Sequence, residues 1–288
     1  MRLRKRWLIG MPILVIFVLG RMEFCSFRYD RLQVSRDLGQ NAYFQQDSTD
    51  SDGLHFVQTG DDPTKPYIMF VHGSPGSLWD YSQYLTDTSL RRQANLISID
   101  RQGFGYSQFG KAKGSLYSHA YQLAQILRVL QNDRVVLVGH SYGGPVIAKA
   151  AMEFGNLIKG LVLIAPSISP KHEPSASWRK IVDLPPFRWL TPPALRACNQ
   201  EILPLREELE QMITSWSNIN IPVTVIQGSE DKLVPMENAL FAEKMLQNSP
   251  SVKVIMLEGE NHFILWSRTN LIKDEIAELL SDSEKLIK

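Results

Sequence analysis

Three stretches of the chain carry side chains that could do chemistry together. The first is Gly139-His140-Ser141-Tyr142-Gly143-Gly144, a Gly-x-Ser-x-Gly pattern. A serine hydroxyl is a weak nucleophile until a base takes its proton, and an imidazole oriented by a carboxylate is a suitable base. The second stretch, Gly228-Ser229-Glu230-Asp231, offers two neighbouring carboxylates, and residue type alone does not choose between Glu230 and Asp231. The third is Glu258-Gly259-Glu260-Asn261-His262-Phe263, which supplies one of the chain's six histidines. A serine, a carboxylate and an imidazole point to attack on a carbonyl carbon. That reaction also needs N–H donors for the developing oxyanion. Two candidates are the N–H of Tyr142, just after the serine, and the N–H of Ser74 in His72-Gly73-Ser74-Pro75-Gly76. The His72 side chain is expected to bond within its own loop.

These residues need elements to position them. Short Val- and Ile-rich runs occur at Tyr67–Val71, Asn95–Ile99, Val135–Val138, Leu161–Ile164, Val223–Ile226 and Val252–Leu257. Unbroken apolar runs of this length read as strands buried on both faces, as in a parallel sheet. Helical spacing of apolar residues appears between them at Ser115–Leu130, Pro145–Phe154, Glu237–Leu246 and Leu271–Leu280. The alternation predicts an α/β doubly wound sheet. Each candidate group then falls just after a strand. Ser141 lies where Val135–Val138 turns sharply into a helix, a turn whose flanking positions must be glycine. Asp100 to Ser107, after Asn95–Ile99, reads as a glycine-rich turn that shapes the pocket; it lacks the lysine and spacing of a phosphate loop. Residues 168–217 break the rhythm with no clear strand, many prolines and three tryptophans, Trp178, Trp189 and Trp216. An insertion of that length in an α/β core is expected to be a lid or cap.

Composition bounds the remaining choices. The chain has 288 residues, 44% hydrophobic and 21% charged, with a formal net charge of +1, which is a globular balance and gives no footprint for nucleic acid. Two cysteines, Cys25 and Cys198, make neither a disulfide framework nor a zinc site and are read as free thiols. No metal or organic cofactor is implied. Arg2, Arg4, Lys5 and Arg6 precede an apolar run from Trp7 to Gly20. That order marks a secretory signal or signal anchor, with an uncleaved anchor favoured over a cleaved signal peptide. Either way the positive-inside rule places the remainder outside the cytoplasm, on the periplasmic or extracellular side. The domain reading is therefore 1–25 signal segment, 26–52 polar stem and 53–288 catalytic domain, with the cap inserted at about 168–217.

Taken together, the His72 to Gly76 loop, the Asp100 to Ser107 turn, Gly139 to Gly143, and Asp231 with His262 make the chain resemble the α/β-hydrolase superfamily, in its branch of small-cap esterases. The resemblance covers roughly Leu54 to Leu280. It implies a mostly parallel central sheet with helices on both faces and a small helical cap after the sixth strand. The family's chain order of serine, acid, histidine leaves only His172 and His262 as bases, and His262 follows the last strand. Family spacing selects Asp231 over Glu230. The resemblance thus implies Ser141, Asp231 and His262 as catalytic residues, with Ser74 and Tyr142 at the oxyanion. Serine rather than aspartate at position 141 sets the chain apart from the haloalkane dehalogenases and epoxide hydrolases of this fold. It points to esters, thioesters, amides or carbon–carbon bonds beside a carbonyl. The expected function is a membrane-associated carboxylic ester hydrolase acting on a small-molecule acyl substrate. One alternative is an aminopeptidase similar to the proline iminopeptidases, which would need a cap carboxylate such as Glu173, Asp183, Glu201 or Glu207 for the substrate amine. Ser74 and Tyr142 depart from that group's usual glycine and tryptophan. The other alternative is a non-catalytic binding protein on the same fold.

Overall fold

The computed structural model describes residues 29–38, 42–46, 53–112, 114–130, 135–174 and 177–285. Its centre is an eight-stranded sheet in the order β1-β2-β4-β3-β5-β6-β7-β8. The strands are β1 (Ala42–Gln46), β2 (His55–Thr59), β3 (Tyr67–Val71), β4 (Asn95–Ile99), β5 (Val135–His140), β6 (Gly160–Ile164), β7 (Val223–Gly228) and β8 (Val252–Leu257). From β4 to β8 every pairing is parallel, whereas β1 with β2 and β2 with β4 are antiparallel. The six apolar runs read from the sequence are the six parallel strands.

Every residue of β3, β4, β5, β6 and β7 is buried, which is why these strands read as continuous apolar runs. Successive side chains still alternate between two cores. Met69 and Val71 of β3 pack on one face with Leu137 of β5, while Ile68 and Phe70 pack on the other with Val136 and Val138. Helices close both faces. The first core is completed by α2 (Leu116–Leu130), α3 (Gly143–Phe154) and α5 (Glu237–Met245), through residues such as Leu123, Ile147 and Ala239. The second is completed by α1 (Arg31–Leu38) and α6 (Thr269–Lys285), through Val34, Leu38, Ile272 and Ile276.

Between β6 and β7 the described residues contain helical elements and no strand. They are a 3-10 turn at Ser177–Asp183, a short helix at Phe187–Leu190, the long helix α4 (Pro193–Met212) and a 3-10 turn at Ile213–Asn218. Leu205, Leu209, Met212 and Trp216 anchor this insertion on the first core.

Two strands and a helix depart from the sequence reading. Residues 26–52 were expected to form a polar stem, but within them Arg31–Leu38 is a helix and Ala42–Gln46 adds an edge strand to the sheet. Tyr29, Val34 and Leu38 are buried in the second core. Among the described residues of this stretch only these three are in the core, too sparse a pattern to read as periodicity. β2 escaped notice because Phe56 and Val57 are its only large apolar residues, its His55, Gln58 and Thr59 being buried as polar side chains. The segment Trp7 to Gly20 lies outside the described residues, as does Cys25; among the described residues no helix is long and apolar enough to cross a membrane. Cys198 is a buried free thiol.

If α1 is part of the folded domain, truncating its buried face must cost core energy. Leu38 is 1% exposed. Leu38→Ala should therefore lower the unfolding free energy by about 2–5 kcal/mol in a urea titration. A change under about 0.5 kcal/mol is what a solvated stem would give.

Candidate active site

The strand-to-helix turn between β5 and α3 lifts Ser141 out of the sheet. Ser141 has φ of +54°, in the left-handed region that non-glycine residues rarely occupy. Such a backbone costs about 1–3 kcal/mol and persists only where its surroundings impose it. Here Ser141 N–H donates to the Ile164 carbonyl at 2.9 Å, and the Ser141 carbonyl accepts from Gly144 N–H at 2.9 Å. The flanking glycines are required by space. A Cβ on Gly143 would collide with the Val71 carbonyl oxygen, and one on Gly139 would sit 2.5 Å from the Gly143 carbonyl oxygen.

The loops after β7 and β8 bring the other two groups together. They approach at Gly228, where a side chain would strike the Glu260 carbonyl, and Glu230 N–H donates to that same carbonyl at 2.9 Å. Asp231 Oδ2 then lies 2.7 Å from His262 Nδ1. A carboxylate only accepts, so Nδ1 carries the proton and Nε2 keeps its lone pair. Asp231 Oδ1 accepts from the N–H groups of Leu233 and Val234 at 2.9 and 2.8 Å, and Oδ2 also from Gln227 Nε2 at 3.2 Å. Burial pushes the Asp231 carboxyl up, but the His262 and backbone donors outweigh it and hold it below its ordinary value. Glu230, the neighbouring candidate, is exposed.

His262 is tied to the serine turn by its backbone. Its carbonyl accepts from His140 Nε2 at 3.1 Å, and the two rings lie 4.9 Å apart. Trp266 packs edge-on against His140 at 5.3 Å. Among the described residues no hydrogen bond joins Ser141 Oγ to the His262 ring, a contact that in many such sites closes only around substrate. His172, the other histidine downstream of Ser141, sits 2.9 Å from Ser169 Oγ through Nδ1.

The loop after β3 lies directly against Ser141: a Cβ on Gly73 would be 3.1 Å from Ser141 Cβ. Among the described residues neither Ser74 N–H nor Tyr142 N–H donates to a protein acceptor. His72 is fully buried; its Nδ1 donates to the Gly73 carbonyl at 2.7 Å and its Nε2 accepts Arg101 N–H at 2.9 Å, so its role is to shape the loop. The Asp100 to Ser107 turn is held by the Asp100 carboxylate, which accepts from Leu78 N–H, Tyr106 N–H and the Tyr29 hydroxyl at 2.9, 3.0 and 3.0 Å.

Three residues around the site share a contact that the sequence does not show. Arg101 was part of the glycine-rich turn, Glu201 one of four cap carboxylates, and His119 an unremarked position on α2. They converge in the fold: Glu201, with zero exposure, pairs with Arg101, lies 2.9 Å from His119 Nε2, and accepts the Ser74 hydroxyl at 2.6 Å. No short-range pattern joins residues this far apart in the chain. Among the described residues no group of His, Cys, Asp and Glu could hold a metal ion.

A family profile for the alpha/beta hydrolase fold matches residues 66–203. With the fold, this match supports an α/β-hydrolase superfamily member. It is similar to an uncharacterized hydrolase, YugF, of Bacillus subtilis, at 24% identity over 80% of this chain and 95% of the relative. It is also similar to a proline iminopeptidase of Saccharolobus solfataricus, at 31% identity over 41% of this chain and 39% of the relative. Among solved structures, a bacterial membrane phospholipase A superposes with a TM-score of 0.63 at 18% identity, covering 97% of this chain and 99% of the other. Together the likenesses support a hydrolase of the α/β fold.

The site has a pH signature. Burial, then the neighbouring His262, lowers the His140 pKa from 6.5 to about 3. The unfolded chain gains a proton there as pH falls through about 6.5, and the folded protein does not. The stability this represents is complete above pH 6.5 and is lost progressively toward pH 3. His140→Asn removes the titration. The stability gap between wild type and this variant should therefore shrink by roughly 1.4 kcal/mol per pH unit below about 6.5. Urea titrations at pH 7, 5.5 and 4 would show it, and a constant gap would mean that His140 is not held neutral.

Proposed function

We propose that this chain is a carboxylic ester hydrolase in which Ser141 is the nucleophile, His262 the base and Asp231 the orienting acid. The observation that carries the reading is the 2.7 Å contact between Asp231 and His262 beside the left-handed turn that presents Ser141. Ser141 Oγ attacks the acyl carbon while His262 Nε2 takes its proton. The N–H groups of Ser74 and Tyr142 bind the oxyanion that forms. His262 returns the proton to the leaving alkoxide, and the carbon–oxygen bond breaks. Water, deprotonated by the same imidazole, then attacks the acyl-enzyme and releases the acid. Asp231 stays ionised and steadies the imidazolium.

The cap supports an apolar acyl substrate. Residues 184–190 are consecutively exposed and include Leu184, Phe187, Trp189 and Leu190. An apolar surface of this kind suits lipid-like esters. With the basic and apolar N-terminal sequence it also supports a place at a membrane, with the catalytic domain outside the cytoplasm.

A second reading, an aminopeptidase, is favoured by the half-buried Glu173, which accepts the Ser167 hydroxyl at 2.5 Å, since Ser167 N–H reaches the Ser141 carbonyl at 3.3 Å. Glu201 cannot serve an incoming amine while it is enclosed by Arg101, His119 and Ser74.

Fluorophosphonate labelling and a panel of p-nitrophenyl esters and aminoacyl anilides test both. Wild type should be labelled at Ser141 and turn over the esters. Ser141→Ala and His262→Ala should abolish labelling and lower kcat by about 10⁴-fold or more. Turnover of the anilides alone, lost in Glu173→Gln, would transfer the assignment to the aminopeptidase. A folded wild type that is neither labelled nor active would leave a binding protein on this fold.

A further inference from the structure

The Arg101–Glu201 pair lies inside the protein, with side chains 1% and 0% exposed, in contact with the loop that supplies one oxyanion donor. Burying such a pair is costly unless its geometry does something an apolar pair could not. Arg101 spends its fork on that loop: Nε donates to the His72 carbonyl at 2.9 Å and Nη2 to the Gly73 carbonyl at 2.8 Å. Nη1 and Nη2 also grip the two Glu201 carboxylate oxygens. The cap thus reaches, through Glu201 on α4, both Arg101 and the Ser74 hydroxyl.

The peptide between Gly73 and Ser74 contains both the carbonyl that Arg101 holds and the N–H assigned to the oxyanion. In a trans peptide these two groups point in opposite directions. Fixing the Gly73 carbonyl, which also accepts from His72 Nδ1 at 2.7 Å, therefore fixes the direction of Ser74 N–H. A flipped peptide would present the carbonyl, a repulsive dipole, to the oxyanion.

We infer that Arg101 and Glu201 are positioning residues that lock the Gly73–Ser74 peptide in its donor orientation and so couple the seating of the cap to transition-state stabilisation. The inference rests on the ester-hydrolase reading. It differs from a packing role because the lock acts on the transition state and not on substrate affinity. Tyr142, the residue with the second donor, stacks its ring under the same guanidinium at 4.7 Å, so both donors share one support. His119, 2.9 Å from Glu201, backs the carboxylate from α2.

The test is the apolar replacement Arg101→Met/Glu201→Leu, which removes the charges together and leaves neither partner unpaired. Ser74→Ala, which keeps the N–H but cuts the hydroxyl tie to Glu201, is run beside it. Readouts are kcat and KM on a p-nitrophenyl ester, and inhibition by an alkylboronic acid that forms a tetrahedral adduct on Ser141. The double variant should lose about 10²–10³-fold in kcat, the effect of losing one oxyanion donor, with KM within threefold. Boronate affinity should fall in parallel. Ser74→Ala should lose roughly 3- to 30-fold in kcat with the same unchanged KM, and it keeps the test open if the double variant fails to fold. A kcat within twofold of wild type in a folded variant, or a loss confined to KM, overturns the inference. Failure of the ester-hydrolase reading looks different: wild type itself would be unlabelled and inactive, and both proposals would fall.

Discussion

The backbone at Ser141 is the constraint on which the rest of the site depends. A left-handed residue between a strand and a helix has to be held on both sides, because alone it would relax. One side is held by Ile164 of β6, whose carbonyl takes the Ser141 N–H, and the other by the first turn of α3. That helix can start so early only because Gly143 lets its backbone pass within contact of the end of β3. The same closeness brings the Gly73 loop against Ser141. The strained turn, the early helix and the adjacent loop are therefore one packing solution, and a side chain at Gly143 would disturb all three.

Central strands and the serine turn were legible in the sequence for a physical reason. Burial on both faces demands unbroken apolar runs, and a tight turn demands glycine at fixed positions. Both demands act over a few residues. The Asp231–His262 pairing was half legible: each residue follows a strand, but proximity comes from two loops meeting at Gly228. The first two strands and α1 were not legible, because an edge strand, a strand with mostly polar buried side chains and a helix with two buried anchors need no strong periodicity. Arg101, His119 and Glu201 were hidden for a different reason. Their meaning lies in a contact among the turn after β4, α2 and the cap, and a buried charge looks in sequence like any surface charge.

The electrostatics around the serine follow from that buried cluster. Burial pushes the Glu201 carboxyl up, but Arg101 and His119 more than reverse it, so the carboxyl stays below its ordinary value and ionised. Arg101 and Glu201 then cancel in net charge while keeping a directed dipole beside the Gly73 loop. A dipole fixed before substrate arrives needs no reorganisation when charge develops, which is the condition under which N–H donors are most effective. A lone guanidinium in the same place would be a buried charge without a counter-ion.

Histidine chemistry is sorted by the same packing. His72, His119 and His140 are all buried, and burial first of all lowers the pKa of each. Each is also committed to the frame, His72 to the Gly73 loop, His119 to Glu201 and His140 to the His262 backbone. None is disposed to carry a proton between substrate and solvent. His262 shares with His119 a carboxylate partner but carries it on Nδ1, beside the serine turn, where it would stabilise an imidazolium in the proposed reaction. His172, held by Ser169, has no such carboxylate contact among the described residues. The buried histidines thus hold the frame around the proposed base, His140 directly, and they keep that arrangement only while they stay neutral.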